Sequence, residues 1–181
     1  MCCFSAFYFT WLALRMAGCA RGCDVDAISE QRLSEVHPKL AEKVRSMADL
    51  LAQENITIRV VQGLRSWGEQ ATLYAQGRTV PGQVVTNAKP GTSWHNYALA
   101  VDVAPFDSGI PDWNVDHPAW KRIVAVGESV GLVSGSTWRT FPDWPHFQLT
   151  GQLPVSPDDA VRAAYETGGQ SAIWTDSGLD A

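Results

Sequence analysis

The sequence predicts an α+β fold in which helices flank a small, mainly antiparallel sheet. Three observations carry this. Apolar residues recur at helical spacing in two well-separated segments, 38–51 and 118–131. Short β-branched or apolar runs at 56–64, 98–104 and 147–150 are divided by helices and long loops, so the strands are not simple neighbours in sequence. The composition is that of a globular chain: 181 residues, 45% hydrophobic and 18% charged, enough for one domain with a sizeable core.

The first 23 residues, MCCFSAFYFTWLALRMAGCARGC, stand apart. Residues 2–14 are mostly apolar, but the run is shorter than the roughly 20 residues of a bilayer span, and a basic start typical of secretory signals is missing. Met16–Cys19 loosely matches a lipoprotein cleavage box, with Met where Leu is usual. Two readings stay open: an export leader, with or without lipidation at Cys19, or a true start at Met16. The expected organisation is a leader over 1–23 and a single domain over 24–181. All four cysteines (Cys2, Cys3, Cys19, Cys23) lie in the leader. The body therefore has no disulfide framework and no thiolate metal site, and a metal there must be held by His, Asp or Glu. A net charge of −5, from 14 basic and 19 acidic residues and with no basic run, argues against a nucleic-acid binder.

Along the body, Ser29 is the expected N-cap of a short first helix, and Pro38 fits the first turn of a second. Leu40, Val44, Met47, Ala48 and Leu51 then form one stripe. ITIRVVQGL (56–64) reads as a strand. SWGEQATLYAQG (66–77) reads as a helix capped by Ser66 and stopped by Gly77. Residues 78–92 are rich in turn formers and predict a long loop, a common home for function. A buried strand follows over 98–104, then a second loop, then a helix at 118–131 with Trp120, Ile123, Val124, Gly127 and Val130 on one face. A last strand at 147–150 precedes a short C-terminal helix expected to start near Ser156.

The buried strand carries an aspartate, Asp102, with a histidine, His95, seven residues before it. On a continuous strand the two would lie roughly 23 Å apart and on opposite faces; on a helix, about 10.5 Å apart. Neither arrangement closes a metal site with bonds of about 2 Å. The chain must bend between them, and PGTSWHN supplies turn chemistry for a loop that folds back. Of the other histidines, His37 and His117 each precede a proline at a helix start and are expected to be exposed there rather than to bind metal. His146 lies among Phe141, Trp144, Pro145 and Phe147 at the mouth of a strand, where a buried imidazole requires a partner. Taken alone it fits a hydrogen-bonded core histidine as well as a ligand. Two His and one Asp would make an open three-ligand zinc site, with water in the fourth position. Asp143, three residues before His146, is a candidate general base, its pKa raised by aromatic neighbours that exclude water; without a metal it reads as a turn-forming aspartate after Pro142. Arg65, between a strand and a helix N-terminus, is a candidate for stabilising an oxyanion; taken alone it fits a surface or salt-bridged arginine. Trp94 and Trp144 fit either the core or the wall of a groove.

These pieces together resemble one family. SWHNYALAVD matches an S-x-H-x-x-x-x-A-x-D signature, DWPHF matches its D/E-x-x-H partner, and GLRSWGEQATLYAQGR is similar to the arginine segment that precedes them. This is the pattern of the bacterial cell-wall zinc peptidases, the D-Ala-D-Ala carboxypeptidase (VanY-like) and dipeptidase group. The wording around the motifs is most similar to the L-alanyl-D-glutamate endopeptidase branch, which includes phage endolysins. The resemblance spans about residues 24–169. It implies the small α+β architecture shared with hedgehog signalling domains and DD-peptidases, and one Zn²⁺ per chain held by His95, Asp102 and His146. It also implies Asp143 as general base, Arg65 polarising the scissile carbonyl, and Ser93 at the substrate site. The implied activity is hydrolysis of a peptidoglycan stem-peptide amide, L-Ala-D-Glu first, by attack of zinc-bound water. A D,D-carboxypeptidase releasing terminal D-Ala is the nearest rival, and a non-catalytic zinc-containing binding module is a rival of another class. The expected setting is the cell envelope, periplasmic or secreted, or the cytoplasm for an endolysin that reaches the wall at lysis. The expected state is a monomer that touches membrane only through the leader. Two departures from the family wording stand out. Ala98 replaces a usual glycine, unwelcome if that backbone needs a positive φ, and SGST before Trp138 replaces a glycine-rich, acidic stretch.

Overall fold

The structure, a computed structural model, describes residues 25–107 and 109–180. The expected leader, 1–23, lies outside the described residues. Among the described residues, five α-helices and five strands follow in the order α1 (Ala27–Leu33), α2 (Pro38–Ala52), β1 (Ile58–Gln62), α3 (Trp67–Ala75), β2 (Ala100–Asp107), β3 (Ile110–Pro111), α4 (Ala119–Ser129), β4 (Val133–Ser134), β5 (His146–Gln148) and α5 (Asp159–Ser177). Every strand pairing is antiparallel, in the order β1-β2-β5-β4, with β3 as a hairpin partner of β2. The α+β expectation holds.

β2 is central, and its alternation sorts the chemistry from the core. Val101 and Val103 face the main core with Phe147 of β5, which is the register partner of Val101. The α2 stripe Leu40, Val44, Met47 and Leu51 and the α4 residues Trp120 and Ile123 fill that core, all fully or almost fully buried. At Gly127, α4 lies so close to the sheet that an added Cβ would collide with the Phe147 ring. With period 2, Ala100 and Asp102 take the opposite face. There a second cluster, with Trp94, Tyr97, Leu99 and Ile173, roots α5 and the segment before β2. Opposite Asp102 the β1 register slips between Val60 and Gln62, a bulge of the kind found beside functional sites.

Several local expectations are corrected. The cap of α1 is Asp26, whose carboxylate accepts the Ile28 and Ser29 N–H groups. Ser29 lies inside the helix, fully buried; its hydroxyl donates to Asp26 and accepts the Val60 N–H, tying α1 to β1. His37 does start α2, with Nδ1 accepting the Lys39 N–H, but it is buried, not exposed, edge-on to Trp174. Burial lowers its pKa, although Asp180 pulls the other way. The signal missed is that α5 returns to cover this end. That helix is long rather than short, 19 residues kinked at Gly169, and its cap is Asp158, not Ser156. His117 is half-buried just ahead of α4, whose N-cap is Pro118, and its Nδ1 accepts the Ala119 N–H. The α3 expectation holds: Ser66 caps it, in a reciprocal box with Glu69.

Ala98 is fully buried with φ 58° and ψ 30°, the left-handed region flagged by the family's glycine. An L-residue there costs about 1–2 kcal/mol. Ala98→Gly relieves this strain but loses a buried methyl worth about 0.8 kcal/mol, so stability should shift by less than about 1 kcal/mol. Ala98→Val adds a β-branched side chain to a left-handed, packed position and should cost about 3 kcal/mol, read as a lower urea midpoint at unchanged m-value.

Candidate active site

The bend demanded between His95 and Asp102 is real. Trp94–Tyr97 form one 3-10 turn, Ala98 reverses the chain in the left-handed conformation, and β2 starts two residues later. The Arg65 N–H donates to the His95 carbonyl. Buried Asn96 accepts the Gly91 N–H and donates to the Arg65 carbonyl, so this turn is clamped to the segment after β1. On the other side, His146 is the direct register partner of Asp102 across β2 and β5. Three chain segments thus deliver one side chain each to the same point.

The three facing atoms form a nearly equilateral triangle. His95 Nε2 lies 3.1 Å from Asp102 Oδ1 and 3.2 Å from His146 Nδ1, and His146 Nδ1 lies 3.5 Å from the same Asp102 oxygen. Ligands at zinc bond lengths of about 2.0–2.1 Å sit roughly 3.3–3.4 Å apart on a tetrahedron, so the triangle has the dimensions of one tetrahedral face. Its chemistry also fits a cation. His95 Nδ1–H donates to the Gly63 carbonyl at 2.9 Å, which turns the Nε2 lone pair inward in the neutral ring. His146 Nε2–H donates to Gln148 Oε1 at 3.0 Å, which turns its Nδ1 lone pair inward. Two lone pairs and a carboxylate oxygen therefore meet at a buried point with no donor among them, and a positive ion relieves that conflict. Among the described residues this is the one group of three or more His, Cys, Asp or Glu arranged to hold a metal.

The same pull toward positive charge governs titration. Burial works against the Asp102 carboxylate, but the neighbouring His95 and His146 rings outweigh it and hold its pKa well below the usual range. Burial likewise opposes a charged His146, and the hydrogen bond and negative charge of Asp102 reverse this, raising its pKa.

Arg65 reaches the centre from behind. Its guanidinium donates to Asp102 Oδ2 at 3.1 Å and to Gln70 Oε1 at 3.0 Å, while its Nε–H is buried without a partner. Gln70, fully buried on α3, donates onward to the Ala88 carbonyl, so it links Arg65 to the long 78–92 loop. Asp143 is half-buried beside the triangle and takes no side-chain hydrogen bond among the described residues. Burial, then repulsion from Asp102, raises its pKa against the opposing pull of His146, His95 and Arg65. Its backbone is tightly set: the Asp143 N–H donates to the Gly135 carbonyl at 2.9 Å. A Cβ at Gly135 would meet the Asp143 carbonyl oxygen at 2.8 Å and His146 Cβ at 3.1 Å. The divergent SGST stretch therefore keeps glycine at the position where another backbone passes, and it buttresses Asp143.

A cleft of about 650 Å³ opens over these groups, lined among others by Arg65, Ser93, Asp143, Trp113, Trp138 and Phe141. Ser93 precedes the 3-10 turn, and its side chain does not cap it. The Trp138 ring packs 4.8 Å from that of His146, and Trp113 stands 56% exposed at the wall. Trp94 borders the cleft although it is 2% exposed, whereas Trp144 packs against the main core. Sequence reasoning missed Gln148, Gln70 and the Gly63 carbonyl. Gln148, two residues beyond His146 on a strand, was the one with a readable signal, because period 2 puts both on one face.

The profile of VanY, D-alanyl-D-alanine carboxypeptidase, matches residues 33–135. The chain belongs to the VanY family. The match takes in Arg65, Ser93, His95 and Asp102 and ends ahead of Asp143 and His146. Two relatives extend the likeness. The chain is 32% identical to the peptidoglycan L-alanyl-D-glutamate endopeptidase CwlK of Bacillus subtilis over 124 residues, 64% of this chain and 74% of that protein. It is 31% identical to the L-alanyl-D-glutamate peptidase of Escherichia phage T5 over 140 residues, 77% of this chain and 90% of that protein. Among solved structures, the Serratia marcescens L-Ala D-Glu endopeptidase ChiX is similar with a TM-score of 0.52 and 28% identity, covering 68% of this chain and 87% of that one. The LdcB LD-carboxypeptidase shares the fold alone, with a TM-score of 0.51 at 16% identity over 78% of this chain and 69% of that one. The resemblance drawn from the motifs is thereby borne out.

Proposed function

We propose that this VanY-family chain is a zinc peptidase that cuts the peptidoglycan stem peptide between L-Ala and D-Glu. The observation that carries the reading is the triangle of His95 Nε2, Asp102 Oδ1 and His146 Nδ1, sized for one tetrahedral ion and open toward a peptide-sized cleft. The relatives' names supply the bond. Zinc held by these three atoms would supply a Lewis acid and a water of lowered pKa. The remaining work falls to side chains. Asp143, with its raised pKa and free carboxylate, takes the proton of the attacking water and returns it to the leaving amine. Arg65 holds Asp102 in place and sets a positive charge at the cleft, where negative charge develops on the carbonyl oxygen. The Ser93 hydroxyl, on the cleft wall, is available to the substrate backbone. The apolar walls Trp113, Trp138 and Phe141 exclude water around the scissile amide. A structural zinc site would be closed by four protein ligands; among the described residues three converge here, and the base and the cation beside them, Asp143 and Arg65, favour catalysis over a binding module. The site of action is then the cell wall.

The family profile favours one second reading, release of a terminal D-Ala. Mass spectrometry of digested muropeptides separates the two. The expected product carries a new amino-terminal D-Glu, and loss of D-Ala alone would reverse the assignment. The same digestion after zinc removal by a chelator should stop and should resume on adding zinc. Undiminished hydrolysis in metal-free protein would end the zinc mechanism.

A further inference from the structure

We infer that Gln148 is a positioning residue that selects which nitrogen of His146 faces the metal, and that it does so because the cleft wall fixes its amide. The inference rests on the metal centre proposed above. Gln148 is 3% exposed and lies on β5 two residues after His146, so both side chains occupy the same face. Its amide bridges two partners. Oε1 accepts the His146 Nε2–H at 3.0 Å, and the NH₂ group donates to the Val155 carbonyl at 3.1 Å. The second bond decides the first. A carbonyl only accepts, so the Gln148 nitrogen must face Val155 and its oxygen must face His146. With the amide reversed, two oxygens would oppose each other at Val155, and a nitrogen that carries hydrogens would replace the acceptor at His146. The Val155 carbonyl is itself pinned, because the Trp94 indole N–H donates to it at 2.9 Å.

The chain of consequence runs from backbone to ligand. Trp94 and Gln148 hold the Val155 carbonyl, Val155 orients Gln148, and Gln148 keeps hydrogen on His146 Nε2 and the lone pair on Nδ1. That lone pair is the one 3.2 Å from His95 Nε2 and 3.5 Å from Asp102. In the other neutral tautomer a hydrogen on Nδ1 would point into the ligand triangle and block it. His95 is fixed in the opposite sense by a backbone carbonyl, which a mutation cannot remove; His146 depends on a side chain, which makes the claim testable. Outer partners of this kind typically contribute 10–100-fold to metal affinity.

The test uses the full chain, with zinc affinity measured by competition with a chromophoric chelator. Gln148→Leu, of similar bulk but with no acceptor, should weaken zinc binding 10–100-fold. Gln148→Glu keeps an acceptor for Nε2–H but loses the donor to Val155; it should hold zinc within about threefold of wild type while the wall around Val155 loosens. A purely structural role would weaken both variants alike. A readout that needs no variant is long-range ¹H–¹⁵N NMR of the metal-free protein at alkaline pH, which should show His146 with hydrogen on Nε2. Hydrogen on Nδ1 in the wild type, Gln148→Leu binding zinc at wild-type strength, or Gln148→Glu falling as far as Gln148→Leu would each overturn the inference. If the wild type itself takes up no zinc, the metal centre fails, and this inference with it. If the wild type binds and only the Gln148 series disagrees, the metal centre stands.

Discussion

Asp143→Ala should lower turnover of muropeptides by about 10²–10⁴-fold, the usual contribution of a general acid–base group, while zinc content stays near one ion per chain. The geometry separates the two readouts. Asp143 supplies no atom to the ligand triangle, and its backbone bonds to Gly135 and His146 do not involve the carboxylate. Removing it leaves His95, Asp102 and His146 where they are. The loss should fall on kcat more than on KM, because a proton acceptor acts in the transition state. Asp143→Asn, which keeps the shape without the basicity, should be equally inactive. Wild-type turnover in either variant would contradict the assigned role, and loss of zinc along with activity would show that Asp143 serves the metal instead.

Asp102→Asn should abolish zinc uptake and activity yet leave a folded protein, and the contrast with Asp102→Ala measures what the carboxylate does. Asp102 works on two sides, with Oδ1 toward the two imidazole lone pairs and Oδ2 toward Arg65. In Asp102→Asn the amide oxygen can keep the Arg65 bond, and the NH₂ group can donate to the imidazoles. A donor then occupies the place where three acceptors had converged, and the charge that attracts a cation is gone. The metal-free variant should melt at or above metal-free wild type, and adding zinc should raise the melting temperature of the wild type only. In Asp102→Ala the Arg65 guanidinium, 11% exposed, keeps Gln70 but loses its anionic partner in a buried setting; that should cost about 3–5 kcal/mol, read by urea denaturation. An Asp102→Asn protein that still gains stability with zinc would remove Asp102 from the ligand set.

The geometry gives Arg65 a definite partner. By its position between strand and helix it reads as an oxyanion stabiliser or, taken alone, as a surface or salt-bridged arginine. In the fold it supports Asp102 through an ion pair, anchored in turn by Gln70 and, through Gln70, by the 78–92 loop. The same long connection is tied down at Arg78, which donates to the Tyr74 and Thr86 carbonyls and to Asn87.

What the sequence by itself determined was identity and order. The apolar stripe of α2, the capping serine of α3 and the apolar run of β2 are local patterns, and they formed as their spacing required because each depends on residues within a turn or two. The need for a bend between His95 and Asp102 was also legible, since no regular element could bring them together, and the family's glycine at position 98 pointed to the left-handed turn that Ala98 adopts. Only the tertiary structure decided which groups are shared between distant segments. His37 reads as exposed because nothing near it in sequence reveals that α5 returns to cover it. Ser29 reads as a cap because its bond to Val60 spans two elements. The tautomers of His95 and His146, the orientation of Gln148 and the support of Asp102 by Arg65 depend on hydrogen bonds between residues brought together by sheet pairing and loop closure. Residue types announce which atoms can bind a metal; the direction in which each lone pair points is set by neighbours that the linear chain holds far apart.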